Sequence, residues 1–86
     1  MGYKIEFSPH ASRALRRLPA DVQSRVVPVI DSLADTPRPF GAEKLSGSKN
    51  TYRIRVGDYR VLYDVLDNIL LVIVIDLGHR KEIYRR

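Results

Sequence analysis

The chain contains no cysteine and only two histidines. Without cysteine there is neither a disulfide framework nor a thiolate metal site, and His10 and His79 stand at opposite ends of the chain with no carboxylate motif beside either. The acidic residues are scattered, and no pair has the spacing of a metal or glycosidase site. A GxSxG elbow, a Walker loop and a dinucleotide fingerprint are all missing, so the sequence implies neither a metal nor a cofactor. Long hydrophobic runs are missing too: the longest, Ile69 to Ile75, is strand-sized, whereas a membrane span needs roughly 20 apolar residues. With no signal peptide at its N-terminus, the chain is expected to be a cytoplasmic protein without membrane contact.

What is present is one small domain's worth of chain. Eighty-six residues with 44% hydrophobic content suffice for a single modest core, so residues 1–86 are expected to form one domain. Fifteen Lys and Arg against ten Asp and Glu leave a formal charge of +5, a balance that favours nucleic acid or an acidic protein as partner. Beyond Leu77, the bases Arg80, Lys81, Arg85 and Arg86 face Glu82 alone, which makes the C-terminus the most basic region.

From the N-terminus, Tyr3, Ile5 and Phe7 alternate with Lys4 and Glu6 as in a half-buried strand. Ser8-Pro9 reads as an N-cap followed by proline at the first helical position. Ala11, Ala14, Leu15 and Leu18 recur at helical spacing, with Arg13, Arg16 and Arg17 outward, until Pro19 ends the helix. A second helix begins near Ala20 and buries Val22, Val26, Val29, Ile30 and Leu33, with a kink expected at the internal Pro28. Asp35 to Asn50, holding Pro37, Pro39, Gly41 and Gly47, reads as a loop. Its Lys44 and Lys49 are candidate phosphate contacts, or simply solvated loop lysines.

Thr51 to Tyr84 is the organising stretch, with three strand patterns over Tyr52 to Val56, Tyr59 to Leu66 and Ile69 to Leu77. If Gly57-Asp58 is a two-residue hairpin loop, Val56 pairs with Tyr59, Arg55 with Arg60 and Ile54 with Val61. Arg53, Arg55 and Arg60 then gather on one face, while Tyr52, Ile54, Val56, Tyr59, Val61 and Tyr63 form the core-facing set. Two arginines placed directly opposite each other repel, and sheet stability does not ask for them. Past Gly78 come His79, Arg80, Lys81 and Tyr84. Basic groups beside a tyrosine suit single-stranded nucleic acid, because the cations meet phosphates while the ring stacks on a base. The fold class is α+β: an N-terminal strand, a two-helix hairpin and a three-stranded antiparallel meander, with the helices on one face of the sheet.

YRIRVGDYRVLY, the hydrophobic hairpin and GHRKEIY together resemble the RelE branch of the RelE/ParE toxin superfamily, the toxins of type II toxin–antitoxin pairs. The likeness extends over nearly the whole chain, helices included. It implies a cognate antitoxin as partner and, as activity, ribosome-dependent endonucleolytic cutting of mRNA in the A site. Carried over by motif, the functional groups fall on Arg53 and Arg55, on Arg60 in GDYRVLY, on Arg80 in GHRKEIY and on Tyr84; Lys81, a base in the same C-terminal segment, is a further candidate RNA contact. Cleavage of this kind uses the ribose 2′-hydroxyl as nucleophile, so a protein must orient it, take its proton, stabilise the phosphorane and protonate the leaving 5′-oxygen. The sequence departs from the family pattern in the spacing from Arg80 to Tyr84, which is shorter than in some relatives, and at the first-strand basic pair. Well-known members carry lysines where Arg53 and Arg55 stand, and an arginine stays protonated where a lysine can take a proton. The general base is therefore unassigned, with His79 and Tyr84 as candidates. Two other readings of the same resemblance are a ParE-type gyrase inhibitor and a degenerate toxin that acts only with its antitoxin in operon regulation.

Overall fold

The computed structural model describes residues 2–83, and side chains only as far as Lys81. Its elements are β1 (Lys4–Phe7), α1 (Pro9–Arg17), α2 (Ala20–Ser32), β2 (Glu43–Lys44), β3 (Thr51–Val56), β4 (Tyr59–Leu66), β5 (Leu71–His79) and the short α3 (Arg80–Ile83). They build a mixed five-stranded sheet in the order β1-β5-β4-β3-β2, in which β1 runs parallel to β5 and all other pairs are antiparallel. This is the expected α+β class, enlarged by the short helix α3 and by a strand that the sequence conceals. The expected loop at 35–50 contains β2, which pairs Glu43 with Arg53 and Lys44 with Tyr52. Two residues are too few to carry a periodicity.

Local chemistry explains most boundaries. The Ser8 side chain accepts a hydrogen bond from the Ala11 N–H at 3.0 Å, and Pro9 opens α1 where its missing N–H costs nothing. Arg16 and Arg17 lie in the last turn, where the helix dipole favours cations. The helix α2 is continuous through Pro28, the site of the expected kink. Pro28 and Ser24 both face solvent, so water can satisfy the Ser24 carbonyl that proline leaves without an N–H donor. The last strand begins at Leu71 and not at Ile69, because Asp67–Ile69 forms a single 3-10 turn and Leu70 takes a left-handed conformation at φ 51°.

The hairpin register is the one expected: Arg55 pairs with Arg60, Ile54 with Val61 and Val56 with Tyr59. Gly57, at φ 61°, supplies the positive φ that a two-residue hairpin turn asks of its first central residue. One side of the sheet packs on the helices, where Ala11, Val22, Val26, Ile30 and Leu33 meet Ile54, Val61, Tyr63, Val65, Val72, Val74 and Leu77. A register shift between Leu62 and Tyr63 leaves Ile75 without a partner on β4 and changes the phase of β5. Val72 and Val74 point inward before it, and Leu77 and His79 afterwards.

Asp67 fastens three separate segments. It accepts the Tyr3 hydroxyl at 2.5 Å and two guanidinium nitrogens of Arg38, at 3.2 and 2.7 Å. Arg38 also donates to the Tyr52 hydroxyl at 2.8 Å and lies over the Tyr52 ring. Hydrogen bonding to Arg38 and then to Tyr3 holds the Asp67 carboxyl below its usual range, and the bond to Asp67 raises the Tyr3 phenol. The depressed carboxyl gives stability that is fully present above its unfolded value near 3.8 and fades as the pH falls through the folded value. The raised phenol gives stability present below 10.0 and lost as the pH rises through its folded value. Thermal melts of Asp67→Asn should therefore differ from the parent between these limits and converge with it in acid. Equal melting temperatures at neutral pH would refute the clasp.

Candidate functional site

The outer face of the sheet changes character along the β3–β4 pair. At the far end the Thr51 hydroxyl donates to the Asp64 carboxylate at 2.6 Å, so that end of the face carries a hydrogen-bonded negative charge. Toward the hairpin turn, Arg53 stands opposite Leu62 and Arg55 opposite Arg60. These three arginines, with Gly41 and Glu43, line a groove of about 410 Å³. Arg60 lies deepest, only 5% exposed, and its partner on β5 is Gly78, which puts no side chain beside it. Arg55 is exposed and Arg53 half-buried.

Glu43 is the member of this groove that sequence reasoning missed. Its carboxylate accepts from an Arg53 guanidinium nitrogen at 2.7 Å. That hydrogen bond and the Arg53 charge, reinforced by the charges of Arg60 and Arg55, keep the Glu43 carboxyl below its usual range. It thus moderates the repulsion among three cations on adjacent strands. The only signal in the sequence was an acidic residue in a Pro/Gly-rich segment; the two-residue β2 pairing that delivers it to Arg53 has no local signature.

The other expected site residues divide. Arg80 opens α3, exposed, with its backbone N–H bound to the Asp58 carbonyl at 2.9 Å, so it stands beside the hairpin turn that ends the arginine pair. Its side chain is not among those lining the groove. Lys81 is exposed on the same short helix. Lys44 pairs with Tyr52, a core-facing residue, so it projects to the helix side of the sheet, where its ammonium group donates to the Ser48 carbonyl. Lys49 is exposed in the loop before β3. Tyr84 lies outside the described residues.

His79 is on the opposite side of the sheet from Arg60. It pairs with the core-packed Tyr59, whose ring it meets edge-on at 5.4 Å between centroids. There it lines a second hollow of about 470 Å³, together with His10, Arg17, Leu18, Tyr59 and Asp76. The Lys81 N–H donates to His79 Nδ1 at 3.3 Å, which leaves the neutral ring's proton on Nε2. The two histidines, so distant in sequence, share this hollow, and His10 Nε2 lies 2.9 Å from Asp76 Oδ1. A carboxylate is therefore present after all, brought by β5 and not by any motif. Even so, among the described residues no group of three His, Cys, Asp or Glu side chains is placed to hold a metal.

The two hollows differ in what they offer. The larger is lined by the His10–Asp76 contact and by the Tyr59–His79 ring pair. The groove on the outer face presents three permanent cations from rigid strands, which can grip phosphates and stabilise a charge developing between them.

Residues 5–84 match the family model described as the ParE toxin of the type II toxin–antitoxin system parDE. The chain belongs to the RelE/ParE family of type II toxins. Within that family its relatives include RelE toxins. It is 32% identical to toxin RelG of Mycobacterium tuberculosis over the full length of both chains, and 31% identical to the mRNA interferase toxin RelE of Escherichia coli over 98% of this chain and 92% of that one. The fold agrees. The archaeal RelE–RelB complex from Pyrococcus horikoshii superposes with a TM-score of 0.82 at 32% identity, covering 93% of this RelE-type toxin and 97% of its counterpart. No helix among the described residues is long and apolar enough to cross a membrane.

Proposed function

We propose that this toxin is a ribosome-dependent endoribonuclease that cuts mRNA in the A site without a metal ion. It would work in the cytoplasm as a single domain and be neutralised by a cognate antitoxin. The observation that carries the reading is the groove in which Arg53, Arg55 and Arg60 converge from two paired strands. Its RelE relative from Escherichia coli is named an mRNA interferase, and the RelE structure from Pyrococcus horikoshii was solved with RelB.

In the proposed reaction the ribose 2′-oxygen attacks the adjacent phosphorus and the 5′-oxygen leaves. The products are a 2′,3′-cyclic phosphate and a 5′-hydroxyl. The 2′-hydroxyl loses its proton to a base, and the departing oxygen gains one. Arg60 and Arg80 would stabilise the charge on the phosphorane, Arg53 and Arg55 would hold flanking phosphates, and Tyr84 would stack on or orient the nucleotide at the cut. His79, a candidate general base, sits on the other side of the sheet from Arg60 and is given no part in this division. Lys81, on the short C-terminal helix with Arg80, is better placed than Lys44 or Lys49 to add a phosphate contact.

A translation assay with primer extension on ribosome-bound mRNA tests the proposal. The expected result is arrested translation with breaks inside codons. Continued translation with accumulating gyrase cleavage complexes would replace this reading with gyrase inhibition, and no effect on either would leave a toxin that has lost its activity.

Glu43 gives a further expected result. Because it holds Arg53 at 2.7 Å, an incoming phosphate must compete with it. Glu43→Gln should tighten binding to programmed ribosomes, whereas Arg53→Ala should weaken it and flatten its salt dependence. Each phosphate contact on a single strand contributes roughly −0.7 to the logarithmic slope. Binding titrations from low to high salt measure both. Weaker binding by Glu43→Gln would show that the carboxylate positions Arg53 for RNA instead of competing for it.

A further inference from the structure

Phe40 is fully exposed, at 106%, although it sits in a loop braced by side-chain hydrogen bonds. Three residues before it, the Pro37 carbonyl accepts the hydroxyl of the buried Tyr63 at 2.9 Å. Two residues before it, Arg38 is fixed by both Asp67 oxygens, by the Tyr52 hydroxyl and by the Tyr52 ring. The Ala42 N–H closes a turn onto the Pro39 carbonyl at 3.0 Å. The next residue, Gly41, has a φ of 95°, lines the arginine groove and leads directly into Glu43.

A braced loop that holds a phenyl ring in water loses apolar burial and gains no packing from that ring. The arrangement makes sense if the ring's partner arrives from outside. Its chain neighbour Gly41 lines a groove of three arginines suited to a phosphate chain, and a base adjacent to a gripped phosphate needs an apolar face on which to stack. Because the loop is already ordered, little conformational freedom is lost when the base arrives.

We infer that Phe40 is a stacking platform for a nucleobase of the mRNA next to the phosphates held by Arg53, Arg55 and Arg60. The inference rests on the proposed RNA-cleaving function and adds a substrate contact to it. Any base has a π-face, so the contact fixes the strand's position without selecting a codon.

The test uses the intact toxin on programmed ribosomes, with mRNAs carrying a single abasic nucleotide at each position flanking the cut in turn. On intact mRNA, Phe40→Ala should lower single-turnover kcat/KM by about ten-fold, the scale of one base–aromatic stack, and Phe40→Trp should restore it. With the abasic nucleotide at one particular position, parent and Phe40→Ala should become equal. Since the ring is fully exposed, circular dichroism melts of the variants should match the parent. Parental cleavage by Phe40→Ala beside an impaired Arg60→Ala would overturn the stacking role and leave the proposed function standing; absence of cleavage by the parent itself on programmed ribosomes would overturn the function. Unchanged cleavage with lost neutralisation by the antitoxin that co-purifies with the toxin would make Phe40 a protein contact and overturn the inference. So would a ten-fold loss that persists at every abasic position.

Discussion

Replacing Arg60 by Ala is expected to lower single-turnover cleavage on saturating ribosome complexes by about 10²-fold or more, the scale of removing one preorganised charge donor. The expectation comes from where Arg60 sits. It lies mid-hairpin on β4, 5% exposed at the bottom of the groove, with Arg55 directly opposite and Gly78 on the other flank. Ordered strands on both sides fix its backbone, so the guanidinium does not have to be reorganised as charge develops on the phosphate. Arg80, tied beside the same turn through its N–H to Asp58, should behave similarly, with a loss in the chemical step and not in binding. Saturating single-turnover kinetics separate the two effects, and circular dichroism must show each variant folded. Parental rates for Arg60→Ala at saturation would place the transition-state contact elsewhere.

The second large effect is on stability. Tyr63 is 0% exposed and is the largest fully buried side chain among the described residues, packed near Tyr52 with ring centroids 6.0 Å apart. Tyr63→Ala should cost about 3–5 kcal/mol, as other large-to-small aromatic replacements in cores do. At about 0.05–0.15 kcal/mol per residue, a domain of 86 residues holds roughly 4–13 kcal/mol in all, so this one change takes a large share. The hydroxyl matters separately. Burial pushes it up to about 12, so it remains a donor to Pro37 through the neutral range. Tyr63→Phe should therefore cost only about 1 kcal/mol, the usual net worth of one hydrogen bond, while loosening the loop that carries Phe40. Urea denaturation of the three proteins measures both steps. An Ala variant within 1 kcal/mol of the parent would show that this part of the core collapses around the cavity.

The two effects draw on opposite faces of one hairpin. Along β4, Arg60 turns outward and Val61 and Tyr63 turn inward, so the strand that holds the cation is anchored by the core next to it. This coupling is also why the hairpin was legible. Gly57-Asp58 sets a two-residue turn, the turn sets the register, and strict alternation then assigns each side chain to a face. The same local rules placed the Ser8 cap and the Pro9 helix start.

The sequence by itself determined the α+β class, the hairpin register and the gathering of Arg53, Arg55 and Arg60, because each depends on contacts within a few residues or across one tight turn. Only the tertiary structure decided which other groups join or leave that cluster. Glu43 reaches Arg53 through a strand too short to have a period, and the Asp67 clasp joins side chains from opposite ends of the chain to brace the loop of Phe40. His79 looked like a neighbour of Arg80 and a candidate base. The register shift at Leu62 and Tyr63 changed the phase of β5, and with it the face on which His79 lies. One unpaired residue in a strand inverts every side chain beyond it, and an apolar run such as LLVIVI contains no mark of where that residue falls.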